Sequence, residues 1–86
     1  RRLNVAKILY FAGLVDRLGR AMEEVELPAS VTDVQALLAW LRLRGEPWQR
    51  VLADDAVRVT VDRQFSVAGT PINNANEIAL INTRPL

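Results

Sequence analysis

The feature that most constrains this chain is an unbroken apolar run near its C-terminal end, Ile78–Ile81. Polar residues flank the run, and the asparagine-rich stretch Asn73–Asn76 before it is typical of a turn. A short, continuous run with two isoleucines predicts a strand covered on both faces, which places it in the middle of a sheet. Pro85 cannot donate a backbone hydrogen bond to a neighbouring strand. We therefore expect residues 82–86 to leave the sheet as a free, extended tail.

The composition predicts one folded domain that spans residues 1–86. Half of the residues are hydrophobic, which is enough for one core and argues against disorder. The 11 basic and 10 acidic residues are interspersed, so the basic stripe typical of nucleic-acid binders is missing. No apolar segment approaches the roughly 20 residues of a membrane span, and Arg1-Arg2 do not precede the apolar stretch of a signal peptide. We therefore expect a cytoplasmic protein without nucleic-acid or membrane partners.

Cysteine and histidine are both absent from the sequence. Their absence removes the thiol nucleophile, the commonest metal ligand and the commonest general base near neutral pH. The acidic pairs Glu23-Glu24 and Asp54-Asp55 have no other candidate ligand near them in the sequence, and we interpret them as solvated charges. We therefore predict no metal, no cofactor and no catalytic side chain, and a self-contained enzyme is the weakest functional hypothesis.

Hydrophobic periods predict the remaining strands. The segment nearest the N-terminus is β-prone and mostly apolar, as expected of a central strand, and the next alternates like an antiparallel edge strand. Between them, Leu14–Leu18 can form one helical turn that Gly19 would cap. The predicted strands are Val5–Ala12, Glu23–Leu27, Val57–Val61, a fragment at Phe65–Val67, and the run Ile78–Ile81.

One amphipathic helix is predicted between the second and third strands. Apolar residues recur there at i, i+3, i+4 and i+7, the stripe of a helix that packs on a core. The stripe consists of Val34, Leu37, Leu38 and Leu41. Thr32 and Gln35 match a capping box, and Gly45 fits the position after the helix end, so we predict a helix from about Asp33 to Arg44. A shorter helix is predicted over Glu46–Leu52.

The order of these elements indicates the fold. The first and last strands are the most apolar, so we expect them to pair at the centre of the sheet. Two antiparallel hairpins crossed by one helix form an α+β layer. We predict a β-grasp (ubiquitin-like) fold, a mixed sheet of four to five strands packed on one main helix.

Several segments, which together cover most of the chain, also match a known pattern of apolar residues. They are Lys7–Ala12 with the loop to Gly19, Val31–Val34, Leu37–Gly45, Val57–Asp62, and Pro71-Ile72 with Glu77–Leu80. In these segments the chain resembles the small subunit of molybdopterin synthase, a ubiquitin-like sulfur carrier. The resemblance implies a C-terminal glycine that a ubiquitin-activating-like adenylyltransferase adenylates and that becomes a thiocarboxylate. It further implies a large catalytic subunit, in which the sulfur passes to a pterin precursor of the molybdenum cofactor.

The sequence departs from that family at its end. The family tail ends in Gly-Gly, which lets the backbone pass a narrow channel without side-chain bulk, whereas Asn82–Leu86 contains no glycine. We expect the native chain to continue to a Gly-Gly; a homologue processed before use, or one that has lost carrier function, is the alternative. Two other functional hypotheses stay open: a sulfur carrier for thiamine or tRNA thiolation, and an interaction module without sulfur chemistry.

The resemblance also implies where partners bind. Phe11, Phe65 and Ile81 stand where the family places apolar residues at partner interfaces. A core position is the alternative for Phe11 and Ile81, whereas the polar neighbours of Phe65 favour the surface. Arg84 is suited to an acidic partner or, more simply, to solvent. The predicted partner-binding set is Phe11, Phe65, Ile81, Arg84, Pro85 and Leu86.

Overall fold

A computed structural model describes residues 4–73 and 75–86 of the chain. The expectations for Arg1-Arg2, and for Asn74 in the asparagine-rich turn, fall outside the described residues. The elements in chain order are β1 (Val5–Phe11), α1 (Gly13–Leu18), β2 (Met22–Glu26), α2 (Val34–Arg42), α3 (Trp48–Val51), β3 (Val57–Val61), β4 (Gln64–Phe65) and β5 (Glu77–Asn82).

The strands form one mixed sheet in the order β2-β1-β5-β3-β4. β1 and β5 pair in parallel at its centre, which confirms the predicted pairing of the two most apolar strands. β2 is the antiparallel edge strand on one side, and β3 pairs antiparallel with β5 on the other. The predicted α+β, β-grasp architecture is confirmed. The hairpin between β3 and β4 turns through Asp62 and Arg63, both at positive φ.

The core lies on one face of the sheet. Alternate residues of β1 are buried there together with the apolar stripe of α2. The buried residues of these two elements and of β5 are Ala6, Ile8, Tyr10, Val34, Leu37, Leu38, Leu41, Ile78 and Leu80. The prediction that both faces of β5 are covered is wrong, because Ile81 is 40% exposed on the opposite face. The helices supply a covering layer for one face, and the apolar side chains of the other remain in contact with solvent.

The main helix is shorter than predicted and has a different cap. α2 ends at Arg42, and Gly45 follows after an irregular turn with a φ of 89°. The predicted capping box is wrong: Asp33 is the N-cap, and its Oδ1 accepts a hydrogen bond of 2.8 Å from the Ala36 N–H. Asp33 has the extended backbone (φ −142°) that an N-cap requires. Thr32 lies one residue before the N-cap position.

The two other helices are short. α1 ends at the predicted glycine cap, where left-handed Gly19 donates its N–H to the Val15 carbonyl. α3 is a single turn that begins after Pro47. In the described part of the chain no helix has the length and apolar character that a bilayer span requires.

Candidate functional site

The open face of the sheet carries an apolar row beside the point where the chain leaves β5. Phe11 on β1 is the register partner of Ile81 on β5, and Ile81 is also the register partner of Arg58 on β3. Residues directly opposite each other in neighbouring strands lie on the same face of a sheet. Three strands therefore place Phe11, Ile81 and Arg58 side by side.

A second row runs next to the first. It crosses all five strands and consists of Met22, Leu9, Ala79, Thr60 and Phe65. The Arg58 guanidinium carbon lies 5.6 Å from the centroid of the Phe65 ring, within the range of a cation–π contact. This contact joins the two rows at the β3–β4 edge.

The three predicted apolar residues are all accessible. Phe11 is 46% exposed, Phe65 77% and Ile81 40%, which excludes the alternative that Phe11 and Ile81 belong to the core. We call these three residues, with Leu9, Met22 and Arg58, the open-face patch. Contiguous exposed apolar surface is typical of a surface that another molecule covers. The structure brings the three residues into one patch; their contact with a partner stays a prediction.

The tail is held to the body of the protein, so the prediction of a free, extended tail is wrong. Asn82 belongs to β5, and its side-chain Oδ1 accepts a hydrogen bond of 2.8 Å from the Gly13 N–H. Its Nδ2 donates to the Arg84 carbonyl at 2.7 Å, and the Thr83 N–H donates to the Ala56 carbonyl at 2.9 Å. The Thr83 bond continues the β3–β5 ladder by one residue, and the Asn82–Arg84 bond spans the bend that follows. Ladder pairing does end before Pro85, as predicted.

The last three residues lie at the surface. Arg84 pairs with Asp55 of its own chain at 3.4 Å, and both side chains are mostly exposed, so the pair contributes little to stability. Pro85 is exposed. Leu86 is partly covered: a methyl group built on Gly13 would lie 3.3 Å from its Cδ1. The glycine at position 13 therefore leaves the space into which the tail folds.

The comparisons with known proteins identify the family. The family model that matches is the ThiS family, over residues 8–83. The chain belongs to the ThiS family. This result confirms the resemblance to ubiquitin-like sulfur carriers at the level of the family. A search of curated protein sequences finds no significant match.

Solved structures similar to this ThiS-family chain agree with the fold. One is a candidate molybdopterin converting factor, subunit 1, from Pyrococcus furiosus, with a TM-score of 0.74 and 19% identity over 91% of this chain and 95% of that one. Another is SAMP1 from Haloferax volcanii, with a TM-score of 0.70 and 21% identity over 95% of this chain and 96% of that one. A further structure, of H. volcanii small archaeal modifier protein 1, has a TM-score of 0.64 and 21% identity over 95% of this chain and 98% of that one. At these identities the likeness establishes the fold alone.

A polar cluster at the β2 edge was missed from the sequence. Glu23 accepts hydrogen bonds from the Tyr10 hydroxyl at 2.6 Å, from both terminal nitrogens of Arg44 at 2.8 and 3.1 Å, and from Arg20 at 3.0 Å. The Arg44 guanidinium lies 4.4 Å from the ring centroid of Trp48. The interpretation of Glu23 as a solvated charge is therefore wrong. Its side chain ties β2 to the segment that follows α2.

The signal for this position is the alternation of β2. Glu23 lies an even number of residues from Val25 and Leu27, which face the core, so the pattern already places Glu23 on the inner face. Glu24, one residue later, falls on the open face. An acidic residue on an inner face needs a partner, but the sequence does not say that the partners are Tyr10 and two arginines.

Burial and hydrogen bonds shift the pKa values of three groups in this cluster. Burial, followed by the hydrogen bond to Glu23, raises the pKa of the Tyr10 hydroxyl. Burial alone would raise the pKa of Glu23, but the hydrogen bonds from Arg44 and Tyr10 outweigh it and lower that pKa. The hydrogen bond to Glu23 in turn raises the pKa of Arg44. Near neutral pH, Tyr10 stays protonated and Glu23 stays ionised, which suits structural support of this ThiS-family scaffold rather than proton transfer.

Proposed function

We propose that this chain is the sulfur-carrier small subunit of a molybdopterin synthase, which donates sulfur through a C-terminal thiocarboxylate during molybdenum cofactor synthesis. One observation carries the proposal: the open-face patch and the tail lie at the same end of the sheet. Ile81 directly precedes Asn82, where the tail begins, and Phe11 lies two residues before Gly13, which bonds Asn82. A partner that covers the patch therefore also receives the tail.

The chemistry of a carrier needs little from its own side chains. A ubiquitin-activating-like adenylyltransferase joins the terminal carboxylate to the AMP of ATP and releases pyrophosphate. Sulfide from a sulfur donor then attacks the acyl carbon and displaces AMP, which gives the thiocarboxylate. The carrier contributes a surface that both partners recognise and a tail that reaches their active sites. Beyond Thr83 the tail is held by two exposed polar contacts, the Arg84–Asp55 pair and the hydrogen bond from Asn82 to the Arg84 carbonyl, so a partner can detach it at low cost.

The open-face patch supplies the features of a binding surface. Phe11 and Phe65 offer aromatic rings, and Arg58 offers a guanidinium held against one of them. Aromatic residues, methionine and arginine are enriched in protein interfaces relative to the rest of the surface. We propose that the large catalytic subunit of molybdopterin synthase covers this patch.

The test is binding to the large subunit of molybdopterin synthase from the same organism, measured by calorimetry. We expect Phe11→Ala and Ile81→Ala each to weaken binding about tenfold or more. The matched control is Leu43→Ala, which truncates an apolar residue that is 82% exposed after α2, on the helical side of the molecule. Its affinity should equal that of the unaltered chain. Absence of a complex, or equal losses for all three variants, would contradict the proposal.

A second candidate function is modification of other proteins. The similarity to small archaeal modifier protein 1, over 95% of this chain, favours it, because the same activated carboxyl end can be joined to a lysine amine. Mass spectrometry distinguishes the two: a modifier appears in native cells as an isopeptide on target lysines, whereas a carrier ends in a thiocarboxylate. A carrier for thiamine or tRNA thiolation would also end in a thiocarboxylate. Loss of thiamine or of thiolated tRNA, rather than of molybdenum cofactor, in a deletion strain would identify it.

A further inference from the structure

One edge of the sheet is only partly covered. The Thr83 N–H donates to the Ala56 carbonyl, and the Asp62 N–H donates to the Glu77 carbonyl. These two bonds show that the even-numbered residues along β3 direct their backbone groups toward β5. In an antiparallel ladder, alternate residues direct their backbone groups to opposite sides. The odd-numbered residues of β3, beginning with Val57, therefore direct their N–H and C=O groups away from β5.

β4 covers only the far end of this edge. The carbonyl of Val59 accepts the N–H and the hydroxyl of Ser66, at 3.3 and 2.8 Å. After Ser66 the chain turns toward the start of α2, where the Ala68 carbonyl accepts the Gln35 N–H at 2.9 Å. The backbone groups of Val57 thus face the open end of the sheet edge, beyond the hairpin.

A cavity of about 400 Å³ lies beside the open end of β3, between α2 and the segment that follows β4. We call it the edge groove. Its apolar lining includes Val34 and Leu38 from α2, Val57 and Val59 from β3, and Val67, which is 73% exposed. Phe65 and Arg58 also line it, so the groove is continuous with the open-face patch. Among the described residues, the pairing of β4 with β3 extends from Val61 to Val59 and does not reach Val57. Such a strand edge next to an apolar groove is suited to an added strand.

The charges around the groove favour an acidic occupant. Asp54 and Asp55 line one end, but each already pairs with an arginine, Arg42 at 3.0 Å and Arg84 at 3.4 Å. Within residues 4–73 and 75–86, by contrast, Arg58 has no carboxylate partner. The charge left to be balanced at this edge is therefore positive.

We propose that the edge groove binds an extended segment of a partner protein in which apolar and acidic residues alternate. The segment adds as a short strand beside Val57. Because the side chains of a strand alternate between faces, an apolar residue opposite Val57 enters the groove, and the next residue lies opposite Arg58 on the open face. A carboxylate there pairs with the Arg58 guanidinium. Binding of such a segment does not require sulfur on the chain, so this proposal can succeed or fail independently of the carrier function.

The test uses two blocked pentapeptides, acetyl-Val-Glu-Val-Glu-Val-amide and its lysine analogue acetyl-Val-Lys-Val-Lys-Val-amide. Each is titrated into the full chain labelled with nitrogen-15. We expect the glutamate peptide to shift the amide resonances of Val57, Ser66 and Val67 and to slow hydrogen exchange of the Val57 amide. The lysine peptide should bind several-fold more weakly. No shift at about 2 mM glutamate peptide, or shifts confined to other residues, would overturn the proposal.

Two variants and a control make the test specific. Val67→Asp places a like charge at the rim of the groove and should abolish binding of the glutamate peptide, whereas Leu43→Asp, at an exposed apolar residue outside the groove, should not. Arg58→Glu should reverse the preference toward the lysine peptide. Equal binding by Val67→Asp and the unaltered chain would contradict the proposal, as would an unchanged preference in Arg58→Glu. Because Val67 is mostly exposed, its variant should keep the dispersed spectrum of the folded chain.

Discussion

The backbone N–H of Gly13 donates a hydrogen bond of 2.8 Å to Oδ1 of Asn82, which lies 69 residues further along the chain. The bond joins the start of α1 to the end of β5, next to Phe11 and Ile81 of the open-face patch. Because Nδ2 of the same amide also donates to the Arg84 carbonyl, one side chain connects the start of α1 to the tail.

Replacement of Asn82 by alanine should release the tail. The variant loses the acceptor for the Gly13 N–H and the donor to Arg84, and we expect the free energy of unfolding to fall by about 1 kcal/mol. Nitrogen-15 relaxation should show faster motion at Arg84 and Leu86. Asn73→Ala, in an exposed turn, is the matched control and should change stability by less than about 0.5 kcal/mol. Unchanged tail dynamics in the Asn82 variant would contradict the assigned role.

Two isoleucines of β5 should respond differently to truncation. Ile78 is fully buried, so Ile78→Ala should lower the free energy of unfolding by about 2–5 kcal/mol, through lost burial and a residual cavity. Ile81→Ala, on the open face of the same strand, should cost less than about 1 kcal/mol. Urea unfolding measures both. Similar losses would mean that the open face is in fact covered.

The corrected helix cap gives a further matched pair. Asp33→Ala removes the acceptor for the Ala36 N–H and should destabilise the protein by about 1 kcal/mol. Thr32→Ala, one residue earlier, should change stability by less than about 0.5 kcal/mol, because α2 has its cap at Asp33. Thermal unfolding followed by circular dichroism compares them. A larger loss for the threonine variant would restore the capping box that the sequence suggested.

The Glu23 cluster predicts a pH dependence. Glu23→Gln leaves Arg44 without its ionised partner and should lower stability at pH 7 by about 1–3 kcal/mol. The folded-state pKa of Glu23 lies below its ordinary value of about 4.3, so its contribution is complete above that value and is lost as the pH falls through the folded-state pKa. The stability difference between the variant and the unaltered chain should therefore disappear once the pH has fallen through the folded-state pKa of Glu23.

The control for this prediction is Glu24→Gln. Glu24 is exposed and neighbours Glu23, but its side chain faces the open side of the sheet. Its stability should stay within about 0.5 kcal/mol of the unaltered chain at pH 7. Equal effects of the two substitutions, or a difference for Glu23→Gln that does not shrink as the pH falls, would show that the cluster does not depend on the Glu23 charge.

The fold could be predicted from local patterns because α2 and the longer strands have clear patterns of apolar residues. Where two interpretations shared one pattern, the sequence could not choose between them. The run Ile78–Ile81 predicts a central strand, yet it does not report whether a second layer covers the open face. Thr32 and Asp33 are both competent caps, and the backbone conformation decides between them.

The parts of the site that escaped prediction depend on contacts distant in sequence. Glu23 meets Arg44 only because the fold brings the end of α2 to the β2 edge. The base of the tail is held because the side chain of Asn82 accepts a hydrogen bond from the backbone N–H of Gly13, 69 residues earlier. The edge groove depends on where β4 stops, which no hydrophobic period encodes.

The central claim is that the carboxyl end of this chain carries sulfur, and the intact mass of the protein from its native cells tests it most directly. The account predicts a fraction of molecules that end in Gly-Gly and whose mass exceeds that of the plain carboxylate by the exchange of one oxygen for sulfur. That fraction should fall when the cell lacks the adenylyltransferase. A native protein that ends without glycine, and never gains sulfur when the adenylyltransferase, ATP and a sulfur donor are supplied, would contradict it.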